Sequence, residues 1–115
     1  MTEVTIWHNP RCSKSRQTLK LIEERGLTPT LRLYLTDAPS EAEIRAALDT
    51  LGIAPIELMR TGEPEFKAQG LGRDSDGASL IRAMAATPKL IERPVVFANG
   101  QARLGRPPEQ VLDIL

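Results

Sequence analysis

Apolar positions change period several times along this chain, and the changes divide it into three parts. From Thr2 to Trp7 the residues alternate loosely and are rich in β-branched side chains, which predicts a short strand. A loop carrying Pro10 follows, and Leu19, Leu21 and Ile22 then fall at helical spacing up to a stop at Arg25-Gly26. Thr30 to Leu35 reads as a second strand. Strand, helix and strand in so short a stretch imply a parallel, right-handed crossover unit, with the end of the first strand and the start of the helix at one edge of the sheet.

The middle part, Ser40 to about Pro88, carries helical signals. Ser40 and Glu43 form a capping box, Ile44, Leu48 and Leu51 make a stripe, and Gly52 ends it. Pro55 starts a short turn bearing Ile56, Leu58 and Met59, and Leu80, Ile81 and Met84 mark another amphipathic helix after Asp74-Ser75. The last part opens at Arg93-Pro94 with the apolar run Val95-Val96-Phe97-Ala98. Asn99-Gly100 before Gln101–Leu104 is a strong hairpin signal. Gly105-Arg106-Pro107-Pro108-Glu109 then starts a closing helix with Val111, Leu112 and Leu115 directed inward. The expected organisation is one α/β domain over 1–115: strand-helix-strand at 1–36, a helical insertion at 37–90, and hairpin plus helix at 91–115.

Charge narrows the functional classes. Fifteen basic and fifteen acidic side chains balance, which argues against a broad surface for nucleic acid or anionic lipid. Met1-Thr2-Glu3 begins no leader-like segment, and no apolar run approaches the ~18 residues of a membrane span, so the expected location is cytoplasmic. With one cysteine and one histidine there is no recognised metal-ligand spacing, and neither a metal nor a bound cofactor is expected.

That single cysteine, Cys12, lies in His8-Asn9-Pro10-Arg11-Cys12-Ser13-Lys14-Ser15-Arg16, where the first strand gives way to the first helix. The first amides of a helix favour negative charge, so a thiol there ionises near neutral pH and becomes a nucleophile. His8 either assists that thiolate or is simply exposed at a strand end. Ser15 either caps the helix or donates its hydroxyl to the sulfur, one turn away. Arg11, Lys14 and Arg16 read as solvated charges.

The order of elements is that of a thioredoxin-like domain, a mixed sheet of about four strands with the helical insertion between the second strand and the hairpin. The Cys12 segment, Tyr34-Leu35, Leu58-Met59-Arg60, Arg93-Pro94-Val95-Val96 and Gly105-Arg106-Pro107-Pro108-Glu109 together resemble the glutaredoxin-linked arsenate reductase (ArsC) family. Trp7 stands where tyrosine is common in that family. The resemblance implies reduction of arsenate to arsenite, with glutathione as co-substrate and glutaredoxin as partner. It implies Cys12 as the nucleophile and Arg60, Arg93 and Arg106 as oxyanion ligands, with Pro94 as the cis proline beside the cysteine. Arginine's planar fork suits a tetrahedral oxyanion, which agrees with that set. Without the resemblance Arg60 ranks no higher than Arg45 or Arg82.

Two other readings stay open. An Spx-like regulator that binds RNA polymerase shares the fold but usually pairs two cysteines in Cys-x-x-Cys, and here the second position is Ser15. A thiol oxidoreductase acting on another oxyanion fits the same residues.

Overall fold

The computed structural model describes residues 3–115, so Met1 and Thr2, the latter placed by the sequence in the first strand, lie outside the described residues. The chain divides into two compact units: one from the described residues up to Asp37 together with Arg93–Leu115, the other spanning Ala38–Glu92.

The first unit holds β1 (Val4–Trp7), α1 (Ser13–Glu24), β2 (Thr30–Arg32), β3 (Val95–Ala98), β4 (Gln101–Leu104) and a 3-10 helix, Pro108–Ile114. Its sheet runs β2-β1-β3-β4. β1 pairs parallel to β2, Ile6 opposite Leu31, and antiparallel to β3, Ile6 opposite Val96. This is the mixed four-stranded sheet expected from the sequence. Val4 and Ile6 of β1 and Val96 and Ala98 of β3 share one face by their alternation. Ile22 of α1 and Val111 and Ile114 of the 3-10 helix close over that face, forming one buried cluster. Each such aliphatic side chain stabilises the fold by roughly 1.5–3 kcal/mol relative to exposure. Trp7 and Phe97 lie on the other face with ring centroids 5.3 Å apart.

Two elements depart from the sequence expectation. β2 ends at Arg32, not Leu35, because the amides of Thr36 and Asp37 both donate to the Leu33 carbonyl (3.0 and 2.8 Å) and turn the chain. The closing element is a 3-10 helix, so its buried positions recur every three residues as Pro108, Val111 and Ile114, leaving Leu112 half-buried. The hairpin turn matches: Asn99 and Gly100 both have positive φ (54° and 73°), the conformation a two-residue turn between twisted strands requires. Asn99 Nδ2 donates to the Ile114 carbonyl at 2.8 Å, which fixes the hairpin to the 3-10 helix.

The second unit holds α2 (Glu41–Leu51), a 3-10 turn Pro55–Leu58, α3 (Pro64–Ala68), α4 (Gly77–Ala86) and a 3-10 turn Pro88–Leu90. The capping box is present, with Ser40 Oγ accepting from the Glu43 amide (3.2 Å) and Glu43 Oε1 from the Ser40 amide (3.0 Å). Ile44, Ala47 and Leu48 of α2 and Leu80, Ile81, Ala83 and Met84 of α4 are the buried stripes, and Leu51 is only half-buried. The sequence reading passed over α3. Pro64 at its first position and Glu65 in its first turn were available signals, but five residues with one buried side chain, Phe66, show no apolar period.

Gly105 marks a close approach within the first unit. A Cβ there would lie 2.5 Å from Thr18 Oγ1 of α1 and 2.6 Å from Pro94 Cγ, while the Gly105 amide donates to the Pro94 carbonyl at 2.9 Å. Gly105→Ala is expected to lower unfolding free energy by about 1–3 kcal/mol, the usual range for overpacking. Chemical denaturation reads it; an unchanged midpoint and slope would show that the contact yields freely.

Candidate active site

The loop between β1 and α1 is held by its own hydrogen bonds. Asn9 Oδ1 accepts from the Arg11 amide (3.0 Å) and the Asn9 carbonyl from the Cys12 amide (3.0 Å), while the His8 amide donates to the Arg32 carbonyl at 2.8 Å. Arg16 Nη1, one turn into α1, donates back to the Pro10 carbonyl at 2.9 Å. The outcome is that Cys12 is the N-cap residue of α1, in extended conformation, where no side chain makes a capping hydrogen bond. The amides of Ser15 and Lys14 face the sulfur instead.

Partial burial of Cys12 pushes the thiol pKa up. The Ser15 amide, the Arg93 guanidinium and the Lys14 amide together outweigh that, and the pKa falls below the ordinary cysteine value. A lowered pKa for an acid means that the anion is present at lower pH than in a free cysteine. Cys12 remains partly accessible, so the thiolate can be reached.

Arg93 precedes cis Pro94 at the head of β3, the isomer the sequence suggested. Burial weakens its charge, but contacts with the Cys12 sulfur and the Tyr34 hydroxyl raise its pKa on balance. Arg106 lies just before the 3-10 helix, again at a cis proline bond, and its Nε donates to the Arg93 carbonyl at 2.9 Å. Arg106, at the head of that element, therefore has an acceptor in the main chain of Arg93.

His8 and Ser15 are both buried. Ser15 Oγ accepts the Asn9 amide at 3.0 Å and sits 2.7 Å from His8 Nδ1. The hydroxyl is thus held between Asn9 and the imidazole, and the part of Ser15 that faces the sulfur is its amide. His8 has a lowered pKa, first from burial and then from the Arg16 charge. The lowering favours the neutral imidazole, which lies within hydrogen-bond distance of the Ser15 hydroxyl.

Arg60 belongs to the second unit. It follows the Pro55–Leu58 turn, its amide donates to the Leu90 carbonyl (2.8 Å), and its Nε pairs with Glu63 Oε1 at 3.2 Å. It lines a cleft of about 380 Å³ with Met59, Thr61, Gly62, Glu63 and Glu92. Its Nη1 is buried with no hydrogen-bond partner among the described residues. Among the described residues, no three His, Cys, Asp or Glu side chains gather as a metal would require, and no helix is long and apolar enough to cross a membrane.

A mixed four-stranded sheet with one thiol at the N-terminus of its first helix and a cis proline beside it defines a thioredoxin-like protein with a monothiol centre. The chain belongs to the ArsC family, whose model matches residues 7–114. It is 43% identical to an arsenate reductase of Neisseria meningitidis serogroup A, over the full length of both chains. It is 50% identical to the protein YfgD of Escherichia coli K12, covering 98% of this chain and 97% of that one. The solved structure of an arsenate reductase from Vibrio cholerae superposes with a TM-score of 0.95 at 47% identity, covering 99% of this chain and 98% of that chain.

Tyr34 is the residue the sequence reading placed in a motif without giving it a task; a lone tyrosine between two leucines just past a strand was the available signal. For the pair that carries the chemistry, Arg93→Ala is expected to raise the apparent pKa of Cys12 alkylation by iodoacetamide toward the ordinary cysteine value. Its rate at neutral pH falls accordingly. Superimposed pH profiles for variant and parent would remove Arg93 from control of the thiol.

Proposed function

We propose that this protein reduces arsenate to arsenite, with Cys12 as nucleophile, glutathione as co-substrate and a glutaredoxin as the recycling partner. The observation that carries the reading is the Cys12 sulfur held toward its anionic form by the α1 amides and Arg93. The arsenate reductases of N. meningitidis and V. cholerae to which the chain is similar supply the substrate.

In the first step the thiolate attacks arsenic(V), an arsenic–sulfur bond forms, and a hydroxyl of the oxyanion leaves as water after taking up a proton. Arsenic remains pentavalent. The thiolate of glutathione then attacks Cys12 Sγ. The pair of electrons of the arsenic–sulfur bond stays on arsenic, which departs as arsenite, and Cys12 is left as a mixed disulfide with glutathione. The glutaredoxin thiolate attacks the glutathione sulfur and releases the Cys12 thiolate. With Ser15 where a dithiol enzyme has its second cysteine, the chain has no thiol of its own for the resolving step, and this makes an external one necessary. Arg93 and Arg106 serve as donors to the oxyanion, and within the second unit the unsatisfied Nη1 of Arg60 is a group that an anion oxygen would satisfy.

The test is a coupled assay of the purified protein with arsenate, glutathione and glutaredoxin, with a parallel arm in which thioredoxin replaces glutaredoxin. Turnover is expected in the glutaredoxin arm and is expected to vanish in Cys12→Ser, with the fold retained by circular dichroism. Arg60→Ala and Arg106→Ala are each expected to cost on the order of 2–4 kcal/mol in kcat/KM if they stabilise developing charge. Turnover persisting in Cys12→Ser would overturn the nucleophile, and unchanged kinetics in an arginine variant would remove that residue from the oxyanion.

A further inference from the structure

Among the described residues the exposed large apolar side chains all lie in one short stretch of the first unit: Leu31, Leu33 and Leu35. Tyr34, between the last two, is fully buried, and the inward ring leaves its neighbours facing water. Leucines scattered singly over a surface need no explanation, but apolar side chains gathered on one segment and rimmed by polar groups mark a surface for a partner.

That stretch runs beside the loop that bears Cys12. The His8 amide donates to the Arg32 carbonyl at 2.8 Å, and Pro10 and Arg11 of the loop line a groove of about 380 Å³ together with Leu33, Leu35 and Thr36. Cys12 is the next residue after Arg11, so an occupant of the groove lies against the loop that presents the thiol.

Charge selects the occupant. From His8 to Ile22 the chain carries Arg11, Lys14, Arg16 and Lys20 and no acid, and Arg11, Lys14 and Arg16 are exposed. Across the groove Arg32 already has Asp37 beside it at 3.5 Å, so the uncompensated charge is on the cysteine side. A second copy of this chain, docked about a two-fold axis, would set these cations against one another. An acidic surface with an apolar centre meets both the leucines and the cations.

We infer that Pro10, Leu33 and Leu35, rimmed by Arg11 and Lys14, form the face on which the recycling glutaredoxin docks through an acidic surface with an apolar centre. The inference rests on the reading that a glutaredoxin regenerates Cys12. In the docked pair the glutaredoxin thiolate attacks the glutathione sulfur of the mixed disulfide. A sulfur–sulfur bond forms between those two atoms, the bond to Cys12 breaks, and Cys12 Sγ leaves with its electron pair as the thiolate. Transient redox encounters bury less than about 1,200 Å², so a small apolar patch with a charged rim suffices.

The test starts from the mixed disulfide of Cys12 with glutathione, made with oxidised glutathione, and follows its reduction by glutaredoxin in stopped flow. The double variant Leu33→Glu, Leu35→Glu, with its fold checked by circular dichroism, is expected to lower the second-order rate constant by about tenfold. Reduction by dithiothreitol is expected to proceed at the parent rate. For the parent the glutaredoxin rate is expected to fall as ionic strength rises, and Arg11→Glu is expected to flatten that dependence. Equal glutaredoxin rates in parent and double variant would overturn the inference, and so would an equal fall with dithiothreitol, because the change would then act on the disulfide itself. Concentration-dependent dimerisation of the parent that the double variant abolishes would assign the face to a second copy and overturn it too. A parent disulfide that glutaredoxin reduces no faster than dithiothreitol does would defeat the choice of partner and this inference with it. No arsenate enters these measurements, so absence of arsenate turnover beside normal glutaredoxin rates would defeat the proposed reaction and leave the docking face standing.

Discussion

The contact between the Cys12 sulfur and its positive surroundings is the constraint on which the first unit is built. A thiolate in a partly buried place is costly unless donors face it, and here the donors come from two sources that differ in kind. The amides of Lys14 and Ser15 are fixed by α1 itself, so they come with the helix. Arg93 comes from the far side of the sequence and reaches the sulfur because β3 pairs antiparallel to β1, with Val95 opposite Trp7. Strand pairing thus carries a charge to the mouth of α1.

Much of the remaining detail in that unit serves to keep those two sources in place. Asn9, Pro10 and Arg16 tie the β1–α1 loop to the helix it precedes, and the buried His8–Ser15 pair fills the space beneath it. Gly105 lets its backbone lie close to both Thr18 of α1 and Pro94 at the head of β3, where a Cβ would collide with each. Arg106 was expected from the resemblance to face an oxyanion. Its Nε is given to the Arg93 carbonyl, which ties it to the main chain at the head of β3.

The sequence made some of this legible and some not, for physical reasons. Cys12 could be placed at a helix N-terminus because the signals are local: a β-branched run, a proline loop, then helical spacing. Asn99-Gly100 is local in the same sense, and so is Ser40 with Glu43. Strand β2 was read too long because Leu31, Leu33 and Leu35 alternate with polar or aromatic neighbours as a strand would, whereas the turn is made by main-chain bonds to Leu33 that leave no mark on composition. The closing element was assigned a helical face with Leu112 inward, since a 3-10 helix of this length is uncommon and its period of three differs little from 3.6 over seven residues. Arg60 could be singled out only through family resemblance. Its environment combines an ion pair with nearby Glu63 and a main-chain hydrogen bond to the Leu90 carbonyl, on a segment thirty residues further along. Arg93 had a mark of its own in the proline that follows it.

The central claim is that the fold itself lets one sulfur ionise at a lower pH than a free cysteine. Titrating the far-ultraviolet thiolate absorbance of the intact protein against pH, with the Cys12→Ser variant subtracted, reads that state without any substrate. The absorbance should appear at a pH clearly below the range of an ordinary cysteine. Appearance at or above that range would contradict the account, whatever the protein does with arsenate.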